Sequence, residues 1–184
     1  MKYSSHDVMA GLVALGVSLT AVACSTPTAQ GAAGSDPAQV ARGKYLVTVG
    51  GCNDCHTPLQ MGPRGPEPDM ARMLSGHPEQ LVITRPATVP DGPWMSVSAP
   101  TNTAHSGPWG VSFTANLTPD QNTGLGIWTE EMFMKAIRTG RHMGASREIL
   151  PPMPWMNYRE MTDADLKAVY AYLRSIPAIH NRVP

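Results

Sequence analysis

The chain has 184 residues and a formal net charge of zero, because 14 basic residues balance 14 acidic ones. That length suits one domain with a modest core behind a processed leader. The neutral balance and the lack of basic patches give no indication of nucleic-acid binding. With 17 glycines, 18 prolines and 6% aromatic residues, the composition predicts a loop-rich fold with few regular elements.

An apolar stretch at residues 8–23 follows Lys2 and ends in small residues. We interpret residues 1–23 as a signal peptide, because the stretch is too short for a clear membrane span. Cys24 comes next, so this boundary resembles the lipobox of bacterial lipoproteins. Lipidation of Cys24, ordinary cleavage after Ala23 and an uncleaved anchor all stay open. In each case we expect the rest of the chain to be periplasmic.

A flexible linker and then the folded domain are expected after the leader. Residues 24–37 are rich in Ala, Gly, Ser, Thr and Pro and show no periodicity, which is typical of a tether. The domain is predicted over residues 38–184. Its first helix is expected from about Pro37 to Val49, where a pair of glycines ends the segment. Gly43 lies within this helix, where a partner helix could come close.

The next five residues, Cys52-Asn53-Asp54-Cys55-His56, have the pattern of a c-type haem attachment site. Cys52 and Cys55 lie about one helical turn apart, so their sulfurs can form thioethers with both vinyl groups of one porphyrin. His56 is then placed to ligate the iron through an imidazole nitrogen. The motif occurs once in a chain of only three cysteines, so we expect one covalent haem c. The sequence lacks the second ligand pair of a zinc site and the βαβ surround of a thioredoxin-like pair.

A long segment of proline and glycine follows at about residues 60–110, with short possible strands at 81–84 and 95–97. Loops of this length in compact domains tend to be functional or mobile. We interpret the segment as an insertion that wraps one edge of the haem. Two of its histidines, His77 and His105, are interpreted as solvated loop residues.

Two further helices are predicted in the second half of the chain. Thr129 is a good N-cap, acidic residues follow it, and Gly140 is a good stop, which predicts a helix between them. Thr162 can cap the last helix, whose apolar residues recur at spacings of three and four until Pro177 ends it.

Met153 is the candidate for the second axial ligand of the iron. It lies between Pro152 and Pro154, which restrict the backbone and would hold the thioether rigidly. Among 12 methionines, any one is more often core filler than ligand. Met153, however, falls between two predicted helices, in a setting that is poor for a helix core. Met156, a histidine such as His142, and an open sixth site remain as alternatives.

Together these segments resemble class I c-type cytochromes, and in particular the cytochrome modules that accompany bacterial periplasmic dehydrogenases. The resemblance covers about residues 39–184 and rests on the segments 52–56, 116–120, 128–131, 152–155 and 161–174. It implies an all-α class I cytochrome c fold whose first and last helices cross near Gly43 and Tyr170. It also implies His56 and Met153 as axial ligands. Relatives of this branch often carry two or three haem motifs, whereas this chain has one.

The leading interpretation is therefore an electron carrier that is not itself an enzyme. It would pass single electrons between a dehydrogenase and a respiratory-chain acceptor, such as a terminal oxidase or another cytochrome. A methionine sixth ligand suits this role, because it favours the ferrous state and raises the potential. The competing interpretation is a haem enzyme or gas-binding protein with an open sixth site. A third is a cytochrome subunit fixed within a larger dehydrogenase, which shares the chemistry of the carrier.

Overall fold

The computed structural model describes residues 36–84 and 87–184, so the expected signal peptide and Cys24 lie outside the described residues. No helix in these two ranges is long and apolar enough to cross a membrane. The helices and strands, in chain order, are α1 (Pro37–Val49), α2 (Cys52–His56), β1 (Leu59–Gly62), β2 (Gly65–Pro68), β3 (Val97–Ser98), β4 (Ala104–Gly107), β5 (Gly110–Phe113), α3 (Glu130–Thr139), α4 (Trp155–Tyr158) and α5 (Asp163–Ser175).

The expected all-α fold is wrong, because the insertion contains two small antiparallel sheets. One is the β1–β2 hairpin and the other has the strand order β3-β4-β5. Both hairpins turn through two residues and restart at a glycine with positive φ, Gly65 at 114° and Gly110 at 91°. Only glycine adopts such angles without strain. The glycines and prolines that predict loops therefore serve as hairpin turns, and the fold is mixed α and β.

The three long helices begin and end where the sequence predicts. Asp36 caps α1 by accepting a hydrogen bond from the backbone of Ala38 at 3.0 Å. Thr129 caps α3 through the backbone N–H of Met132 at 3.1 Å, and Gly140 ends that helix in the left-handed conformation. Thr162 caps α5 in the same way. These caps satisfy N–H groups that have no partner within the helix.

Helices α1 and α5 cross where Gly43 lets their backbones meet. A Cβ atom at Gly43 would collide with the carbonyl of Ala168 and lie 2.8 Å from the Cβ of Tyr172. The crossing is thus at Gly43 as expected, but its partners on α5 are Ala168 and Tyr172. Tyr170 lies on another face of α5, where its hydroxyl donates to the carbonyl of Trp128 at 2.6 Å. The apolar core of the protein surrounds this crossing.

Buried polar contacts stabilise the insertion internally and join it to the C-terminal segment. His77 is fully buried, and its Nε2 donates to the carbonyl of Leu81 at 2.8 Å while its Nδ1 accepts from the hydroxyl of Thr103 at 2.9 Å. Asn181, near the C-terminus, donates to the carbonyls of Ser75 and His77. The interpretation of His77 as a solvated loop residue is wrong, because its buried ring joins Leu81 to Thr103 within the insertion.

Candidate functional site

The paired cysteines lie in one short helix that starts directly after α1. Gly51 takes the left-handed conformation, at φ 66°, and turns the chain from α1 into α2. Cys52 and Cys55 are free, partly buried thiols. Burial raises the pKa of Cys52 to about 11, and burial together with nearby Asp54 raises the pKa of Cys55. Both groups are therefore neutral thiols at neutral pH.

His56 is buried and its ring is oriented by one hydrogen bond. Nδ1 donates to the backbone carbonyl of Ala115 at 2.8 Å. Because a carbonyl can only accept, the proton is on Nδ1 and the lone pair is on Nε2. Burial also lowers the pKa of His56, which keeps the ring neutral. A neutral imidazole held through its other nitrogen has the arrangement that metal-ligating histidines use.

A cavity of about 870 Å³ lies against these residues. This volume falls within the range of about 300–1,000 Å³ that is usual for small-molecule sites. Its walls come from α2, the end of β5, α3 and the loops on either side of it, the segment before α4, and the C-terminal residues 182–184. Apolar side chains among them include Leu117, Leu125, Trp128, Phe133, Ile137 and Leu150. Such a mostly apolar cavity beside two thiols and an imidazole fits a large flat apolar group.

The cavity brings together the four residues that the sequence predicts as the site: Cys52, Cys55, His56 and Met153 all line it. Met156 does not line it and is 57% exposed. His142 does line it, and its ring meets Trp128 edge-on with the centroids 5.0 Å apart. Burial lowers the pKa of His142, helped by the charge of Arg147. Two of the candidates for the sixth ligand, Met153 and His142, therefore share the cavity wall.

The β4–β5 hairpin supplies a polar part of the wall that the sequence did not indicate. His105 lies in β4 and is only 5% exposed, so its interpretation as a solvated loop residue is wrong. Its Nδ1 shares a hydrogen bond with the hydroxyl of Ser98 at 2.9 Å, whereas its buried Nε2 has no hydrogen-bond partner among the described residues. Within the same part of the chain, the buried hydroxyl of Thr114 also has no partner. Both residues line the cavity, where a bound group with polar atoms can form hydrogen bonds with these unpaired atoms.

One signal in the sequence could have found this wall. Polar residues alternate with others at Thr103 and His105 and again at Ser112 and Thr114, which is the period of a strand face. His105 pairs with Ser112 in the sheet, and paired residues of antiparallel strands have side chains on the same face.

Two thiols, a neutral imidazole and an apolar cavity in a helical frame are the features of a c-type cytochrome. The sequence model of the cytochrome c family matches residues 40–177, and the chain belongs to that family. Membership implies a covalently bound haem c. The resemblance seen in the sequence is therefore confirmed, with the correction that the fold contains strands.

Relatives of this chain include the cytochrome subunits of several bacterial dehydrogenases. The chain is 30% identical over 148 residues to the fructose dehydrogenase cytochrome subunit of Gluconobacter japonicus, covering 80% of this chain and 23% of that protein. It is 28% identical over 138 residues to the gluconate 2-dehydrogenase cytochrome c subunit of Pantoea cypripedii, covering 75% and 23%. It is also 28% identical over 176 residues to the cytochrome c subunit of the quinone alcohol dehydrogenase of Gluconobacter oxydans, covering 94% and 28%.

The chain spans less than a third of the length of each of these relatives. All three are cytochrome subunits, which identifies an electron-transfer haem protein as the general class of this chain.

Proposed function

We propose that this chain is an electron carrier with one covalently bound haem c. Cys52 and Cys55 would attach the group, and His56 and Met153 would hold its iron, which would supply one-electron redox chemistry. The observation that carries the proposal is the shared cavity, because one wall holds both thiols and the free Nε2 of His56 while Met153 lines the same space. The single attachment motif supports a count of one haem.

Each of these residues has a separate task. The thiols fix the position of the group permanently, so it stays in the protein in both redox states. Ala115 holds the His56 ring in one tautomer through the hydrogen bond to Nδ1. Met153 supplies a soft, neutral thioether, which favours the reduced state and raises the potential. If His56 and Met153 both hold the iron, no coordination position would be left for a substrate, which supports an electron-transfer role without enzymatic activity.

The names of the relatives support a dehydrogenase as the electron donor. A respiratory-chain component, such as a terminal oxidase or another cytochrome, would then accept the electrons. We further propose that residues 1–23 direct the chain to the periplasm and that residues 24–37 tether the haem domain, with Cys24 as a candidate site of lipid attachment. The apolar leader and the attachment motif support this location.

Carbon monoxide binding to the reduced protein tests the proposal, because the carrier has a closed sixth site. We expect the wild type to exclude carbon monoxide and its ferric form to show the weak far-red band of sulfur ligation. Met153→Ala should lose that band and bind carbon monoxide. Met156→Ala is the matched control and should behave as the wild type, since Met156 is exposed and away from the cavity.

Ready binding of carbon monoxide by the wild type would contradict the carrier assignment and favour the alternative, a haem enzyme or gas-binding protein. If Met153→Ala keeps the wild-type spectrum, the ligand is another residue, and His142 is the next to test because it lines the same cavity.

A further inference from the structure

Strand β5 and the residues directly after it contact both segments that carry the proposed axial ligands. The hydroxyl of Ser112 in β5 donates to the carbonyl of Pro151 at 2.5 Å, two residues before Met153. Three residues after Ser112, the carbonyl of Ala115 accepts from the Nδ1 of His56 at 2.8 Å. One short stretch of backbone therefore joins the segment of His56 to the segment of Met153.

The Ser112 hydroxyl is committed to the Met153 segment. It also lies 3.5 Å from the carbonyl of His105, its partner in the sheet. A serine hydroxyl has one hydrogen to donate, and hydrogen bonds between oxygens are strongest near 2.7–2.8 Å. The contact with Pro151 is accordingly the hydrogen bond, and the distance to His105 only reflects the strand pairing.

The Met153 segment depends on acceptor contacts of this kind. Pro151, Pro152 and Pro154 have no backbone N–H, so they can be held only through their carbonyls and their packing. On the downstream side, the carbonyl of Pro154 accepts from the backbone of Asn157 at 2.9 Å, which is a contact within α4. On the upstream side, the contact comes from Ser112, 39 residues earlier in the chain.

We propose that the β4–β5 hairpin is a strap that sets how firmly Met153 closes the sixth site, with Ser112 as the positioning residue. The inference rests on the proposed function, since it requires Met153 to be the ligand. Ser112 is not proposed as a ligand and would act only through the backbone of the Met153 segment. It restrains the proline-rich segment against a part of the chain that also orients His56, so the thioether stays near its position when the bond to the iron opens.

The test compares Ser112→Val with Ser112→Thr in the haem-loaded protein. These two side chains have nearly the same shape and both suit a strand, but only threonine keeps the hydroxyl. Cyanide binding to the ferric form competes with Met153, so its affinity reports how often the sixth site is open. We expect Ser112→Val to bind cyanide about fivefold more tightly, the effect of losing one hydrogen bond. Ser112→Thr should keep the wild-type affinity and far-red band.

Ser106→Ala is the control for general loosening of the hairpin. The hydroxyl of Ser106 in β4 donates to the carbonyl of Ala87 at 2.8 Å, so it makes a similar bond to a segment without a ligand. Its loss should lower the melting temperature and leave cyanide affinity unchanged. If Ser106→Ala tightens cyanide binding as much as Ser112→Val does, the effect is general and the strap is wrong.

A double variant separates the failure of the strap from the failure of the proposed function. In the Met153→Ala background the sixth site is already open, so adding Ser112→Val should not change cyanide affinity further. If Met153→Ala tightens cyanide binding but Ser112→Val alone does not, the strap is wrong and Met153 remains the ligand. If Met153→Ala itself leaves cyanide affinity unchanged, the proposed ligand set fails and the strap fails with it.

Discussion

The helical frame, formed by α1, α3 and α5, and the insertion are each stabilised by a different kind of interaction. In the frame, α1, α3 and α5 bury aliphatic and aromatic side chains around the crossing at Gly43. In the insertion, much of the stabilisation comes from buried polar contacts of single side chains such as His77 and Asn181, and Ser112 adds a solvent-exposed hydrogen bond to Pro151. Apolar burial is non-directional and tolerates small shifts, whereas each hydrogen bond depends on one geometry.

This difference assigns different tasks to the two regions. Helix α1 of the frame leads directly into the motif that carries both thiols, so we expect the frame to determine whether haem is attached. The insertion leads into β5 and Ala115, where Ser112 contacts Pro151 and the carbonyl of Ala115 contacts His56, so we expect it to determine how the axial ligands are oriented. Changes in the frame should therefore affect folding and haem content, while changes in the insertion should affect ligation and pH dependence.

The largest expected effect is the loss of attachment. Replacing both Cys52 and Cys55 with Ala removes both thioethers, so little haem should stay with the protein after acid–acetone extraction. Each single replacement should leave one thioether and retain haem. The measurement is the absorbance of the protein pellet after extraction. Retention of haem by the double variant would show that the thiols are not the points of attachment.

The next effect concerns the helix crossing. Gly43→Val should lower the free energy of unfolding by about 3 kcal/mol, since overpacking a tight contact typically costs this much. Chemical denaturation of the haem-loaded protein measures it. Ala41→Val on the exposed face of α1 is the control and should cost only the small difference in helix propensity. Equal effects at the two positions would mean that the crossing is not tight at Gly43.

A smaller effect is the response to acid, which we expect to differ between the insertion and the long helices. Burial lowers the pKa of His77 below 6.5, its usual value, so the folded insertion holds this ring neutral. When the insertion opens, the exposed His77 ring binds a proton more readily than it does in the folded insertion. The neutral ring therefore stabilises the folded insertion fully above about pH 6.5, and this stabilisation decreases as the pH falls below that value. Hydrogen exchange should therefore show the insertion losing protection as the pH falls through this range, before α1 and α5 do.

His77→Gln provides the comparison for this response. At neutral pH the insertion of the variant should be less protected from hydrogen exchange, because Gln loses one or both contacts with Leu81 and Thr103. Its remaining protection should decrease less than that of the wild type when the pH falls. Simultaneous loss of protection in the insertion and in the long helices would contradict the separation between the two regions.

Local patterns were enough to predict the frame. The caps at Thr129 and Thr162, the stop at Gly140 and the spacing of apolar residues in α5 all act within one or two helical turns, and the structure confirms each of them. The attachment motif is also local. Met153 could be singled out from its proline neighbours, and it does line the cavity.

The insertion could not be predicted in the same way, because its contacts join distant residues. Gly65 and Gly110 look like loop residues until the pairing of the strands is known. The burial of His77 depends on Thr103, 26 residues away, and the partner of Ser112 is 39 residues away. A single polar side chain carries no periodic signal, so neither its burial nor its partner follows from the sequence nearby.

The central claim is that Met153 binds the iron, and the methionine methyl resonances of the reduced protein test it most directly. A methyl group held over the face of a porphyrin is shifted far upfield by the ring current. In protein with isotope-labelled methionine methyl groups, we predict one such resonance, present in the wild type and in Met156→Ala and missing in Met153→Ala. An upfield methyl resonance that persists in Met153→Ala, or its absence from the wild type, would contradict the account.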